Sequence, residues 1–311
     1  MKYAVISDVH GNHPALRAVL EDAGKQGVDT CLFLGDYAYG LPWGNEVTHT
    51  IRSLASKAVI RGNGEDYFNG LRDKNHDWGS LEQFKPIAWA HRSLSSENLD
   101  YLQTLPASLT LTGSGYTLYL EHAPSVIYRS PQIGLFHCRF FHNDMLKEPF
   151  GHETYLLRAK NAFLSRADAL ADMRAMPRGV YLFGHNHIQF HMSIEGRYFV
   201  NPGSCGEPLD WNPAAAYTVL DCSKDGCAVT ERRVDYDRAA AIRGLRETGY
   251  AAYAPVWSDV MERALMTGKD YFYPLVLHLR DTAKRLGKTE YPVDNAVWNE
   301  AVITWEPNGL Y

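Results

Sequence analysis

Acidic, amide and imidazole side chains follow several short apolar runs of this sequence. Asp8 and His10 come directly after the run at residues 2–6, and two positions apart in an extended chain they point to the same side. Five further residues of the same kinds follow later runs: Asp36, Asn63, His122, His185 and His187. Carboxylate and imidazole groups are common ligands of transition metals in proteins. The pattern therefore predicts a metal site where several strands end.

Each of these residues also has an ordinary interpretation. A single histidine is usually a surface or core residue, and Asn63, which stands between two glycines, is typical of a turn. The joint pattern favours ligands, because all seven residues follow predicted strands. Glycine also precedes three of them, at Gly35, Gly62 and Gly184, where it lets the chain turn tightly.

The elements that would position these residues follow from hydrophobic periodicity. Three successive strand–helix units between residues 2 and 65 predict an α/β core with right-handed crossovers. A hairpin at 108–120, a strand at 179–183, two short strands at 189–200 and a last hairpin at 216–233 complete the predicted sheets. The ends of these strands are where open α/β sheets hold their ligands.

Composition narrows the class of protein. Of the 311 residues, 45% are hydrophobic and 22% are charged, as expected for a globular chain. The net charge is −5 and no stripe of lysine or arginine occurs, which argues against nucleic acid as the main partner. No apolar run reaches about 18 residues, so no membrane span is predicted.

The cysteines and the N-terminus bear on the compartment. The N-terminus enters the first predicted strand directly, which predicts a protein without a signal peptide. The five cysteines have no zinc-site spacing and predict reduced thiols in a cytoplasmic protein: Cys31, Cys138, Cys205, Cys222 and Cys227. Cys222 and Cys227 flank a predicted turn, so a disulfide between them stays open.

The chain is predicted to divide into two parts. Residues 1–235 contain all the candidate ligands and form one domain, with a loop-rich insertion at 125–176. Such an insertion beside a site can form a substrate wall or lid, and an ordinary packing cluster is an equal alternative. Residues 236–311 have apolar positions at helical spacing, such as Trp257, Met261 and Leu265. They predict a helical extension that docks on the core or on a second subunit, which leaves a homo-oligomer open.

Five motifs together resemble the ordered signature of the calcineurin-like metallophosphoesterase superfamily. They are Asp8-x-His10, Gly35-Asp36, Gly62-Asn63, His122 and Gly184-His185-x-His187. The stretches at 8–16 and 201–210 are similar to its small prokaryotic phosphodiesterase and phosphatase branch. The resemblance covers roughly residues 1–235. It implies a four-layer α/β/β/α sandwich of two mixed β-sheets flanked by helices, with a binuclear metal site at one edge.

The resemblance also implies two ligand sets that share Asp36. One ion would be held by Asp8, His10, Asp36 and His187, and the other by Asp36, Asn63, His122 and His185. Mixed imidazole and carboxylate donors suit two divalent ions of Mn, Fe, Zn or Ni better than Mg. Two ions about 3.5–4 Å apart acidify a bridging water. The expected reaction is attack of a metal-bridging hydroxide on a small phosphate ester.

The sequence departs from the superfamily pattern at Gly64. Many members have a histidine after the motif asparagine, where it protonates the leaving group or contacts the phosphate. Its replacement in this branch is associated with phosphodiesterase activity, so a diester is favoured over a monoester. His13 and His142 are candidate replacement acids, with His91 and His137 as further alternatives, and Asn12 is a candidate substrate contact.

Three functions compete. The leading hypothesis is a phosphodiesterase for small esters. A protein or nucleotide monophosphatase would use the same site, and a catalytically silent scaffold would keep only the fold. The complete ligand set weighs against the scaffold, because a decayed site is expected to lose at least one of seven ligands.

Overall fold

The computed structural model describes residues 1–72, 78–113, 115–124, 167–223, 226–288 and 292–306, with the single positions 153, 157 and 161. The first three predicted strand–helix units are present. Strands β1 (Lys2–Ile6), β2 (Thr30–Phe33) and β3 (Lys57–Val59) alternate with helices α1 (His13–Lys25), α2 (Gly44–Ser53) and α3 (Asn63–Arg72). Two further helices follow, α4 (Lys85–Ser93) and α5 (Ser96–Thr104).

The remaining strands build a second sheet and complete the first. In chain order they are β4 (Ser108–Gly113), β5 (Tyr116–Glu121), β6 (Gly179–Leu182), β7 (Gln189–Ile194), β8 (Arg197–Pro202), β9 (Ala215–Ser223) and β10 (Gly226–Val234). Helix α6 (Ala167–Ala175) precedes β6. Most of the predicted insertion at 125–176 lies outside the described residues, and so do the two interpretations of it.

Two five-stranded sheets form, with strand orders β10-β9-β1-β2-β3 and β4-β5-β6-β8-β7. In the first sheet, β1, β2 and β3 run parallel and the β9–β10 hairpin joins antiparallel to β1. In the second sheet, β5, β6 and β8 run parallel and are flanked by the antiparallel strands β4 and β7. Both sheets are mixed, so the predicted fold of two mixed sheets flanked by helices is confirmed.

Alternation along the strands determines how the layers pack. In β1, Tyr3 and Val5 lie in a buried cluster that also contains Leu118 and Leu182 of the second sheet. Ile6, on the opposite face of the strand, belongs to a separate cluster formed with the helices that cover the first sheet. The two sheets therefore pack face to face, and their parallel strands end at a common edge.

The C-terminal segment is helical, as predicted. It contains α7 (Arg238–Glu247), α8 (Tyr250–Tyr253), α9 (Pro255–Thr267), α10 (Phe272–Arg285) and α11 (Asn295–Thr304). The buried faces of these helices share one apolar cluster with Leu41 and Leu209, which lie in loops of the core. No helix within the described ranges is both long enough and apolar enough to cross a membrane.

One expectation about the cysteines is wrong. Cys222 and Cys227 form a disulfide, because the β9–β10 register places them directly opposite each other with Cα atoms 4.2 Å apart. Cys31 and Cys205 are free and buried, and Cys138 lies outside the described residues. Disulfides persist mainly in oxidising environments, so this pair weakens the cysteine-based argument for a cytoplasmic protein.

Two helical glycines test how closely the C-terminal helices dock. A Cβ on Gly244 in α7 would overlap the indole of Trp43, whereas a Cβ on Gly24 in α1 would have no neighbour within 4 Å. We expect Gly244→Ala to lower the free energy of unfolding by about 1–3 kcal/mol through overpacking. Gly24→Ala should raise it by about 1 kcal/mol through helix propensity. Urea denaturation measures both, and equal shifts of the same sign would contradict close docking of α7.

Candidate metal centre

The predicted ligands lie at the shared edge of the two sheets. Asp8 and His10 follow β1, Asp36 follows β2, and Asn63 opens α3 just beyond β3. The first two loops are held together by the main chain: the Asp8 N–H donates to the Gly35 carbonyl and the His10 N–H to the Asp36 carbonyl, both at 3.0 Å. His122 follows β5, and His185 and His187 follow β6 of the second sheet.

A first group of donor atoms forms around Asp8. Its Oδ1 atom lies 3.3 Å from Nε2 of His187 and 3.8 Å from Nε2 of His10. The Nε2 atoms of His10 and His187 are 3.0 Å apart. These three side chains are buried and are close enough together to hold one ion.

A second group forms around Asp36 and adjoins the first. Asp36 Oδ2 lies 3.5 Å from Nε2 of His122 and 3.9 Å from Nε2 of His10, so this oxygen stands between the two groups. Asn63 Oδ1 lies 3.1 Å from Nε2 of His122 and 2.9 Å from Nδ1 of His185. All seven predicted ligands therefore converge.

The histidine hydrogen bonds show that this donor set fits metal ions. Nδ1 of His10, His122 and His187 lies 3.1, 2.7 and 2.6 Å from the carbonyl oxygens of Tyr39, Leu34 and Glu207, respectively. A carbonyl oxygen only accepts, so each Nδ1 donates, and Nε2 is left to face other donor atoms of the cluster. Facing Nε2 atoms repel unless a proton or a cation lies between them. Carbonyl partners of this kind also orient metal-binding histidines.

The electrostatics of the cluster favour positive charge. Burial opposes ionisation of Asp36, but the nearby His122 and His10 outweigh it and lower the pKa of Asp36 to about 2. Burial likewise opposes a charged His122, yet Asp36 and Asp8 raise its pKa to about 10. The pKa of His187 is raised to about 9, against the effect of burial, mainly by Asp8. Two buried carboxylates thus attract either protons or metal ions to this edge.

The backbone at the site has an uncommon conformation. Among the described residues, seven that are not glycine have positive φ, and five of them are predicted ligands with φ between 48° and 77°: Asp8, His10, Asp36, His185 and His187. Left-handed backbone is unfavourable for residues with a Cβ and concentrates at functional sites. The strand-end turns are therefore maintained by their surroundings.

The glycines before the ligands are needed for close packing. A Cβ on Gly62 would overlap the carboxylate of Asp36, and one on Gly184 would lie 2.5 Å from Oδ2 of Asp8. The Gly–ligand pattern thus reflects the approach of one loop to the carboxylate held by another.

Sequence reasoning missed Glu65, a buried carboxylate beside the site. Its oxygens accept hydrogen bonds from the backbone N–H groups of Asp36, Tyr37 and Gly62 at 2.8–2.9 Å. Burial and the charge of Asp36 raise the pKa of Glu65 to about 7. Its side chain connects the loops after β2 and β3. The only indication of this role in the sequence is that Glu65 stands two residues after the candidate ligand Asn63.

Other candidates from the sequence have different surroundings. The buried Asn12 amide donates to the Gly206 carbonyl and the Tyr236 hydroxyl, and its oxygen caps α1 at Ala15 N–H, a geometry that favours a structural role over substrate contact. The His13 ring lies 3.0 Å from the Thr50 hydroxyl of α2. His91 lies in α4, while His137 and His142 lie outside the described residues.

The space beside Gly64 is occupied by the ring of Tyr39. Gly64 lies in the first turn of α3 with negative φ, and a Cβ there would overlap the Tyr39 ring. The Tyr39 hydroxyl donates to Asp36 Oδ2 at 3.4 Å, and its ring meets that of His10 edge-on at 4.7 Å. The obstacle to a side chain at Gly64 is therefore this ring and not the backbone conformation.

Two mixed sheets with acids and histidines at one edge are the architecture of a metallophosphoesterase. Residues 1–225 match the calcineurin-like phosphoesterase superfamily domain, and the chain belongs to this superfamily, whose members typically bind divalent metals. An uncharacterized protein of Methanocaldococcus jannaschii is 28% identical over 261 residues, which are 75% of this chain and 87% of the relative.

Solved structures share the fold. A metallophosphoesterase from Sphaerobacter thermophilus has a TM-score of 0.59 and 24% identity, covering 85% of this chain and 99% of that one. A hypothetical protein from Pyrococcus horikoshii has a TM-score of 0.59 and 18% identity, with coverage of 86% and 99%. Both similarities extend into the C-terminal part of this chain.

Loading the protein with a divalent metal should release protons, because histidines coordinate in their neutral form. With pKa values of about 10 for His122 and about 9 for His187, both rings are charged at pH 7, and the pKa of His10 is raised as well, so two or more protons should leave there. As the pH rises through 9, His187 loses its proton before the metal binds. The number of protons released on metal binding should then fall, and the metal affinity should rise. Calorimetry in buffers of different ionisation enthalpy counts these protons. Metal binding at pH 7 without proton release would contradict the charged state of both rings.

Proposed function

We propose that this chain is a binuclear metal-dependent phosphodiesterase that hydrolyses small phosphate esters. The observation that carries the proposal is the convergence of seven buried or half-buried donor groups, with Asp36 Oδ2 between the two groups. Mixed imidazole and carboxylate donors favour Mn, Fe, Zn or Ni. Two such ions supply Lewis acidity and an activated water.

The chain's own residues prepare the site for this chemistry. The carbonyls of Tyr39, Leu34 and Glu207 hold three imidazoles with Nε2 toward the centre. The backbone N–H of Gly64 donates to Asp36 Oδ1 at 2.7 Å, which leaves Oδ2 for a shared position. These contacts orient the donors before substrate binds, and such preorganisation is how a site favours a transition state.

Turnover with a matched pair of substrates and variants tests the proposal. We expect metal-loaded protein to hydrolyse bis(p-nitrophenyl) phosphate faster than p-nitrophenyl phosphate. Asp36→Asn should remove both ions. The loss of activity should exceed the loss of about 10–100-fold that is typical when a residue that only orients a metal ligand is removed. Asp221→Asn, an exposed carboxylate in β9, is the control and should leave metal content and rate unchanged.

The alternatives predict other outcomes of the same experiment. Faster hydrolysis of the monoester would identify a monophosphatase. A protein that binds metal but turns over neither ester would be a scaffold. Two retained metals with full activity in Asp36→Asn would contradict its shared position.

Within this function, we assign Tyr39 the place of the absent histidine. Burial and the charge of Asp36 hold the pKa of Tyr39 well above its ordinary value, so the phenol keeps its proton at neutral pH. A protonated phenol beside the centre can donate a hydrogen bond to a phosphoryl or leaving oxygen. It is a weaker acid than an imidazolium, so esters with acidic leaving groups should react best.

A leaving-group series tests this assignment. Methyl phosphodiesters with leaving groups from p-nitrophenol to simple alcohols should react with a steep dependence on leaving-group pKa. Tyr39→Phe should steepen it, with little loss for p-nitrophenol and about a hundredfold loss for alkyl leaving groups, at the lower end of general-acid effects. Tyr116→Phe, at the far end of β5 from His122, is the matched control. An unchanged slope in Tyr39→Phe would contradict the role.

The space between Gly64 and Tyr39 supplies a complementary variant. Gly64→His alone should displace the Tyr39 ring against Asp36 and His10 and lower both metal content and rate. The double variant Gly64→His/Tyr39→Ala makes room for the imidazole and should flatten the leaving-group dependence. Metal content is measured for each variant before its rates are compared.

A further inference from the structure

A cavity of about 710 Å³ extends from the metal centre to the C-terminal helices. His10, His187 and Tyr39 border it on the side of the core. Helices α9 and α10 border it on the other side, with Met261 and Leu275 among the residues in its wall. Its volume lies within the range of about 300–1,000 Å³ that is typical of sites for small organic ligands.

The wall of the cavity is mainly apolar. Beyond the histidines and tyrosines, the helices and the segment before α4 contribute Trp78, Phe84, Trp257, Met261, Leu275 and Trp298. The acidic residues in the wall are Asp66, Glu207 and Asp270. Among the described lining residues there is no lysine or arginine.

This lining discriminates between classes of phosphate ester. A second phosphate, as in a nucleotide polyphosphate or a nucleic acid, requires cationic partners away from the metal centre, and the described wall offers no lysine or arginine there. An apolar group placed against tryptophan, methionine and leucine side chains is favoured, because its transfer out of water gains about 0.8 kcal/mol for each buried methylene. The cavity therefore selects a substrate that is hydrophobic on one side of its phosphate.

We propose that the C-terminal helices form a hydrophobic specificity pocket, which binds an alkyl or aryl group esterified to the phosphate at the metal centre. The inference rests on the proposed phosphodiesterase function and adds the class of substrate. The phosphate lies at the histidine end of the cavity, and the hydrophobic ester group extends between α9 and α10. The helical extension thus belongs to the substrate site, although it contributes none of the predicted metal ligands.

A homologous series of p-nitrophenyl alkyl phosphodiesters tests the pocket with a constant leaving group. Below micelle-forming concentrations, kcat/KM should rise by about fourfold per added methylene, equivalent to about 0.8 kcal/mol, until the cavity is filled. Phenyl and naphthyl diesters form a second set of substrates. A strong preference for the longer alkyl diesters or for the aryl diesters supports the pocket and identifies the shape of the ester group that it binds. A faster reaction with a p-nitrophenyl nucleotide ester than with the best hydrophobic ester would overturn the proposal.

Variants on the helices locate the effect. Met261→Ala enlarges the cavity, so kcat/KM should continue to rise up to a longer alkyl group than in the parent protein. Val276→Phe fills part of the cavity, so kcat/KM should stop rising at a shorter alkyl group. Met266→Ala is the matched control, because Met266 lies on the same helix as Met261 but is 61% exposed. Each variant is compared across the series with itself, so a change in its overall stability does not affect the result.

Failure of this inference can be distinguished from failure of the proposed function. Turnover of the methyl diester without any gain for longer chains would overturn the pocket and leave the phosphodiesterase intact. If no diester is hydrolysed, the function fails, and the pocket is tested by the Kd of dialkyl phosphates. Tighter binding with longer chains in the parent protein and in Met266→Ala would support it, and a constant Kd would overturn it.

Discussion

The fold around the candidate site depends on the need to compensate two buried carboxylates with positive charge. Asp8 and Asp36 are almost inaccessible to water, and their pKa values are held below the usual range by the surrounding histidines. A buried charge without a partner is very costly, so this cluster is stable only with protons or cations among its donors. Because the histidines donate through Nδ1 to carbonyls, their remaining nitrogens are left to face the carboxylates and one another.

This requirement explains the backbone around the site. Turning five ligands inward from strand ends takes left-handed backbone, which costs of the order of 1–3 kcal/mol per residue. Hydrogen bonds between loops offset the cost: Glu65 connects the loops after β2 and β3, and the Ser204 hydroxyl donates to the Asp8 carbonyl at 2.7 Å. The strain is thus confined to a region where the two sheets and their loops leave few alternative conformations.

Local rules were sufficient to predict an α/β core and to place the seven candidate donors at strand ends, whereas the two mixed sheets were predicted only from the resemblance to the superfamily. The strand alternation expected for Asp8 and His10 does not hold, because both residues lie beyond β1 and have left-handed backbone. The sequence was insufficient for Tyr39 and Glu65, whose roles depend on contacts across 25 or more positions, with Gly64 and with the backbone of Asp36. The same limit applies to Asn12, whose burial against Gly206 and Tyr236 has no local signal. The disulfide was left open, since only the β9–β10 register brings Cys222 and Cys227 together.

Tyr39 connects the chemistry of the centre with the recognition of substrate. Its hydroxyl reaches Asp36, its ring covers the place that a side chain at Gly64 would take, and it also borders the apolar cavity. A histidine in that place would put a polar, titratable group where this chain has an aromatic ring. On our proposals, the change to glycine exchanges strong proton donation for an apolar entrance to the pocket. Such an exchange suits a diester whose hydrophobic group supplies binding energy and whose leaving group needs little protonation, so the Gly64 departure and the helical extension are parts of one specificity.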